Sequence, residues 1–148
     1  MSSRSFSTTF SVAQSPEEVF AAINNPRGWW SQAIKGETDK LGAVFYHQYR
    51  DSHRCTLNIT ELVPGKRIVW HVLQNYFDFV KDGTEWTGTD VVFEIASRDG
   101  KTAVRFTHVG LSPVQECYDV CSGGWNSLIS GSLRALIIAG KGNPEERS

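Results

Sequence analysis

The sequence predicts an α+β fold in which a curved antiparallel sheet of about six to seven strands wraps around one long C-terminal helix. Three observations predict it. Near the C-terminus, Trp125, Leu128, Ile129, Leu133, Leu136 and Ile137 recur at steps of three and four, the stripe of an amphipathic helix. Between Ala43 and Val109 most of the chain alternates apolar and polar residues with period two, broken by tight-turn residues. Those turns leave no room for crossover helices, so the strands run antiparallel. A chain of 148 residues is then one domain with one substantial core. That core spans about residues 5–143, with 144–148 a flexible tail.

The long helix is predicted from Ser112 to Asn143. Ser112, Pro113 and Gln115 form its start, with proline at the first helical position, and Gly140, Gly142 and Pro144 stop it. Burying each of the six stripe side chains contributes about 1.5–3 kcal/mol, together on the order of 10 kcal/mol. The net stability of a domain is about 5–15 kcal/mol, so the helix is the lid of the core. Ser122, Gly123 and Gly124 form helix poorly, each glycine costing about 1 kcal/mol relative to alanine, and predict a kink or a close backbone approach. The alternative is a break, with one helix ending near Cys121 and a second starting at Trp125.

Taken in order, Arg4 to Ala13 reads as a strand, with Phe6, Thr8, Phe10 and Val12 on its buried face. Ser15, Pro16 and Glu18 make a capping box for a short helix carrying Val19, Phe20 and Ile23, which ends near Asn24, Asn25 and Pro26. A second helical turn carries Trp29 and Trp30. Strands follow over Ala43 to Arg50 and His53 to Val63, separated by Asp51-Ser52, and over Arg67 to Leu73 after the turn Val63-Pro64-Gly65-Lys66. Gln74 to Thr84 reads as a loop with aromatic anchors. Thr87 to Ala96, the tip Arg98-Asp99-Gly100-Lys101 and Thr102 to Val109 make the last hairpin.

Composition excludes several functions. Hydrophobic content of 40%, charged content of 21% and a net charge of −1 give no bias toward nucleic acid or an anionic membrane. No uninterrupted apolar stretch is long enough to span a bilayer, which takes about 18 residues, and the N-terminal MSSRSFSTTF lacks a secretory apolar run. A cytoplasmic location is expected. The odd set Cys55, Cys117 and Cys121 suits reduced thiols better than a disulfide framework.

Several strings carry a resemblance. Ser15-Pro16-Glu17-Glu18-Val19-Phe20, the pair Trp29-Trp30, Val63 to Arg67 leading to Val69-Trp70, Glu85 to Thr89, and Phe106 to Leu111 stand in order. Trp125, Ser132-Leu133 and Gly140-Lys141-Gly142 complete the set. In their order and spacing the chain resembles the helix-grip superfamily, which includes polyketide cyclases, START domains and birch-pollen-type allergens. It most resembles the branch named after the homologue of the heat-shock-protein-90 ATPase activator. The resemblance runs over about residues 5–143 and implies a cavity between helix and sheet that holds a small apolar molecule, without fixing which one.

The candidate cavity residues are Trp29, Trp30, Phe45, Tyr49, Trp70, Trp86, Phe93, Phe106, His108, Tyr118, Trp125 and Ser132. Gly124, Gly131 and Ser132 are expected to leave space near the middle of the helix. His108 ends an inward row with Val104 and Phe106, so its imidazole needs a buried partner. No Gly-x-Ser-x-Gly string, phosphate-cradling glycine motif or metal-ligand spacing is present: His53 and Cys55 share a strand face, and His47, His71 and His108 stand apart in sequence. Neither a metal nor a cofactor is expected. Cys117 and Cys121, four apart, are expected to be buried thiols rather than a redox pair. The inward rows are overwhelmingly apolar, so the expected function is non-enzymatic binding of a small apolar or aromatic molecule. The alternatives are a cyclase- or hydrolase-like enzyme using His108 with Tyr49 or Tyr118 as acid and base, and an interaction module of co-chaperone type. A homodimer is left open.

Overall fold

The computed structural model describes residues 5–49, 53–78, 86–111 and 118–144, and at Tyr49 the backbone only. Strand β1 (Ser5–Val12) leads into helix α1 (Pro16–Ile23) and the single turn α2 (Pro26–Trp29). Strands β2 (Lys35–Gly36), β3 (Val44–Tyr49), β4 (His53–Val63), β5 (Arg67–Phe77), β6 (Asp90–Arg98) and β7 (Lys101–Val109) follow. All seven join one antiparallel sheet in the order β1-β7-β6-β5-β4-β3-β2. The expected capping box is present. The Ser15 hydroxyl accepts from the Glu18 amide at 3.1 Å and the Glu18 carboxylate accepts from the Ser15 amide at 3.0 Å. The β6–β7 hairpin closes through Asp99 and Gly100, both at positive φ, the type I′ conformation that suits the sheet's twist. Strand β2, two residues long, has no periodic signal in the sequence.

The segment 74–84, read as a loop, is a strand at its start. Gln74 to Phe77 continue β5 by pairing with β4, a long-range ladder that outweighs locally polar composition. A bulge decides which side chains face the core. Leu57 pairs with Val72 while Thr56 pairs with Gln74, leaving Leu73 unpaired, so the inward set changes from Ile68, Trp70 and Val72 to Asn75 and Phe77. Residues 79–84, the rest of that expected loop, lie outside the described residues.

The C-terminal helix covers residues 118–139 in three consecutive segments. These are α3 (Tyr118–Asn126), a π-helical stretch (Ser127–Leu133) and α4 (Arg134–Ala139). The start read at Ser112–Gln115 lies outside the described residues. The buried row is Cys121, Trp125, Ile129, Leu133 and Ile137, with Leu128 and Leu136 half-buried beside it. Steps of four drift by about 40° each in a strict α-helix. The wider i→i+5 turns of the π segment take up that drift and keep the row on the sheet. No close approach occurs at Gly123 and Gly124, which face open space within the unbroken helix α3. The close approach is made by Gly142, after the helix has stopped at left-handed Gly140: a Cβ on Gly142 would sit 2.5 Å from the Gly28 carbonyl oxygen.

Leu133→Ala is expected to cost about 2–5 kcal/mol because the side chain is fully buried. Leu136→Ala, at a half-buried position, is expected to cost less than half as much. Urea denaturation of the two variants checks this, and equal losses would place the helix face wrongly.

Candidate functional site

The inner face of the sheet brings most of the candidate residues into one aromatic cluster beneath the helix. Trp29 and Trp30 stack on Trp70 at 6.3 and 5.9 Å between ring centroids, and Phe45 and Phe93 meet Trp70 edge-on at 5.1 and 4.9 Å. Phe106 touches Phe93 at 5.3 Å and Trp125 at 4.7 Å. A closed circuit of five rings lies beside them. Trp30 stacks on His47 at 4.3 Å, His47 meets His53 at 5.0 Å, and His53 meets Trp86 at 5.0 Å. Trp86 then stacks on Trp125 at 5.4 Å, and Trp125 returns to Trp30 at 5.2 Å.

Two candidates have other roles. Ser132 is buried, but its hydroxyl donates to the Trp29 carbonyl and accepts from the Asn143 amide, each at 2.7 Å. It ties α2 and the post-helix segment to the π stretch. Tyr118 is half-buried and packs on the core. The side chain of Tyr49, at the end of β3, lies outside the described part of the chain. The space expected opposite Gly124 and Gly131 is absent from that place. Both glycines are on the solvent side, because the row that faces the sheet runs through Trp125, Ile129 and Leu133.

His108 is saturated. An indole N–H only donates, so the 3.0 Å bond from Trp125 Nε1 makes His108 Nδ1 an acceptor and puts the imidazole proton on Nε2. That proton goes to Thr89 Oγ1 at 2.7 Å, and Thr89 donates onward to the Trp86 carbonyl at 2.5 Å. Burial lowers the pKa of this ring from 6.5 to about 3. Every polar atom has a protein partner, which leaves none for the acid or base of the enzymatic alternative.

Other polar atoms of the cluster are unmatched. Among the described residues, Trp70 Nε1, Trp86 Nε1 and His53 Nε2 are buried with no hydrogen-bond partner. Burial, and secondarily the neighbouring His47, lowers the His53 pKa well below 6.5, so that ring is neutral at physiological pH. In the sequence His47, His53 and Cys55 lack metal-ligand spacing, and His53 and Cys55 merely share a strand face. Pairing of His47 with Cys55 across β3 and β4 places them together. Carrying the inward parity of Phe45 on to His47 would have found the first of them.

Two surface concavities lie elsewhere. One, of about 680 Å³, runs between α1 and β2 past Phe20, Asn24, Arg27 and Thr38. The other, of about 260 Å³, runs along β3–β5 past Tyr46, Arg54 and Tyr76, where the Arg54 guanidinium covers the Tyr76 ring at 4.7 Å.

Residues 13–137 match the sequence profile described as activator of Hsp90 ATPase homolog 1-like protein. The chain belongs to that family. Among solved structures, the Aha1 dimer from Colwellia psychrerythraea is similar at 22% identity and a TM-score of 0.75, over 93% of this chain and 98% of that one. A protein from Mesorhizobium loti is similar at 15% identity and a TM-score of 0.70, over 86% of this chain and 92% of that one. DynU16, a putative protein of the dynemicin biosynthetic locus, is similar at 16% identity and a TM-score of 0.71, over 97% of this chain and 51% of that one. These likenesses show the fold, the helix-grip arrangement anticipated from the sequence. No curated protein matches the chain. As in any member of this family, function must be argued from the site. Among the described residues, no helix is long and apolar enough to cross a membrane.

Proposed function

We propose that this member of the Hsp90 ATPase activator homologue family is a non-enzymatic domain that binds a small, mainly apolar molecule at the aromatic circuit between sheet and long helix. The observation that carries the reading is a pair of buried polar atoms there, Trp86 Nε1 and His53 Nε2, that have no hydrogen-bond partner among the described residues. Buried polar groups are nearly always satisfied, and a domain with a solid core would have matched or exposed them. A ligand carrying one acceptor for the indole N–H and one donor for the imidazole nitrogen would satisfy both against apolar walls. Neighbouring rings with centroids 4.3–5.4 Å apart are in contact, so entry of a ligand requires the walls to part. His108, with every polar atom occupied, supports binding over catalysis. The protein is expected to act in the cytoplasm, where Cys55 and Cys121 would stay the buried thiols they are here. The Colwellia relative is described as a dimer. Light scattering of this protein would show whether it forms a homodimer too.

Calorimetric and fluorescence titration with flavonoids, fatty acids and aromatic polyketides tests the proposal. Saturable binding by one class is expected. Trp86→Phe, which keeps a ring and removes the N–H, is expected to weaken it up to about tenfold, the equivalent of about 0.5–1.5 kcal/mol for one hydrogen bond. No saturable response from any class would leave a solid-cored interaction module as the better account.

A further inference from the structure

We propose that His47, His53 and Cys55 form a binding site for a divalent metal ion of zinc type, with one coordination position left open. One ligand atom from each residue lies within 4.8 Å of the other two. The arrangement follows from strand pairing. His47 and Cys55 are opposite each other across β3 and β4, and His53 stands two residues before Cys55, on the same face. A ladder partner and an i, i+2 neighbour give three side chains that converge from a rigid sheet rather than a loop.

Zinc bond lengths of about 2.0–2.1 Å to nitrogen and about 2.3 Å to sulfur at tetrahedral angles require ligand atoms about 3.3–3.6 Å apart. Atoms already within 4.8 Å reach that spacing by side-chain rotations of about an ångström. A second observation points the same way. His53 Nε2 is buried and, among the described residues, has no hydrogen-bond partner, so with the proton on Nδ1 its lone pair points free into the interior. Trp30, stacked on His47 at 4.3 Å, fixes the plane of the first imidazole, and Trp86 and Phe77 flank the second at 5.0 and 4.6 Å.

Two imidazoles and one thiol suit zinc, cobalt or copper and not magnesium or calcium, which take oxygen ligands. On binding, the Cys55 thiol loses its proton to solvent and the two histidines bind as neutral rings, with no change of oxidation state. Among the described residues no other histidine, cysteine or carboxylate joins the group, so the fourth position falls to water or to an acceptor atom of another molecule. Metal and small molecule would compete for His53 Nε2, but the inference is carried by the convergence of three ligand atoms, which a failure of small-molecule binding leaves untouched.

Chelator-treated full-length protein titrated with Co²⁺ tests it. One equivalent per chain is expected to raise a thiolate-to-cobalt charge-transfer band in the near ultraviolet, and Zn²⁺ is expected to displace it. Cys55→Ser should remove the band, Cys121→Ser should keep it, and His53→Ala should weaken binding at least about tenfold. A measurement on the unaltered protein covers the case in which variants do not fold. Added Zn²⁺ should shift the imidazole nitrogen NMR signals of His47 and His53 and leave those of His71 and His108. Absence of the band, its survival in Cys55→Ser, or unshifted His47 and His53 signals would each overturn the proposal.

Discussion

Lowering the pH from about 6.5 to about 3 is expected to remove about 5 kcal/mol from the stability of this domain through His108 alone, at about 1.36 kcal/mol for each pH unit between its unfolded and folded pKa values. The unfolded chain takes up a proton at this ring below about 6.5, and the folded chain does so only near 3. Protons therefore favour unfolding throughout that window, and stability is fully present above it. The cause is burial. Nδ1 is also occupied as the acceptor for Trp125, so protonation would turn an accepting atom into a donor facing a donor. His53, whose pKa is lowered in the same direction, adds to the loss. Urea denaturation at a series of pH values measures the slope. His108→Gln should flatten it. An unchanged slope in that variant would place the acid sensitivity elsewhere.

Trp125→Ala is expected to cost about 3–5 kcal/mol for the lost indole and a further 1–3 kcal/mol, roughly, for leaving His108 Nδ1 buried without a donor. Against a total of about 5–15 kcal/mol, that loss removes a large share of the domain's stability, and urea denaturation should show a much lower midpoint. Trp125→Phe helps to separate the two contributions, because it keeps a ring against Trp30, Trp86 and Phe106 while removing the N–H and a smaller part of the buried surface than alanine does. Its cost should be about 1–3 kcal/mol and should shrink when His108 is replaced by Leu, since no acceptor then remains to be orphaned. Equal costs in both backgrounds would mean that the indole acts only by packing.

The inward row of β7 shows how far sequence reasoning reaches. Period two along Val104, Phe106 and His108 placed the imidazole inside and required a partner for it, and both expectations hold. The partner's identity was out of reach, because Trp125 is 17 residues away on another element. The same limit explains the glycines of the helix. Their small size was legible, but their direction depends on which row faces the sheet, and a π stretch set that row.

Local physics determined a good deal by itself. The capping box of α1, the Asp99-Gly100 hairpin, the antiparallel order of the strands and the stop at Gly140 rest on interactions within a few residues, which composition and spacing encode directly. Tertiary structure alone decided the rest: the bulge at Leu73 that turns Asn75 and Phe77 inward, the π turns that keep Trp125, Ile129 and Leu133 on the sheet, and the meeting of His47, His53 and Cys55. Each of these arises from matching one element's register to another's. A shift of one residue reverses the facing of every side chain beyond it, and the periodicity of a single segment carries no record of that shift.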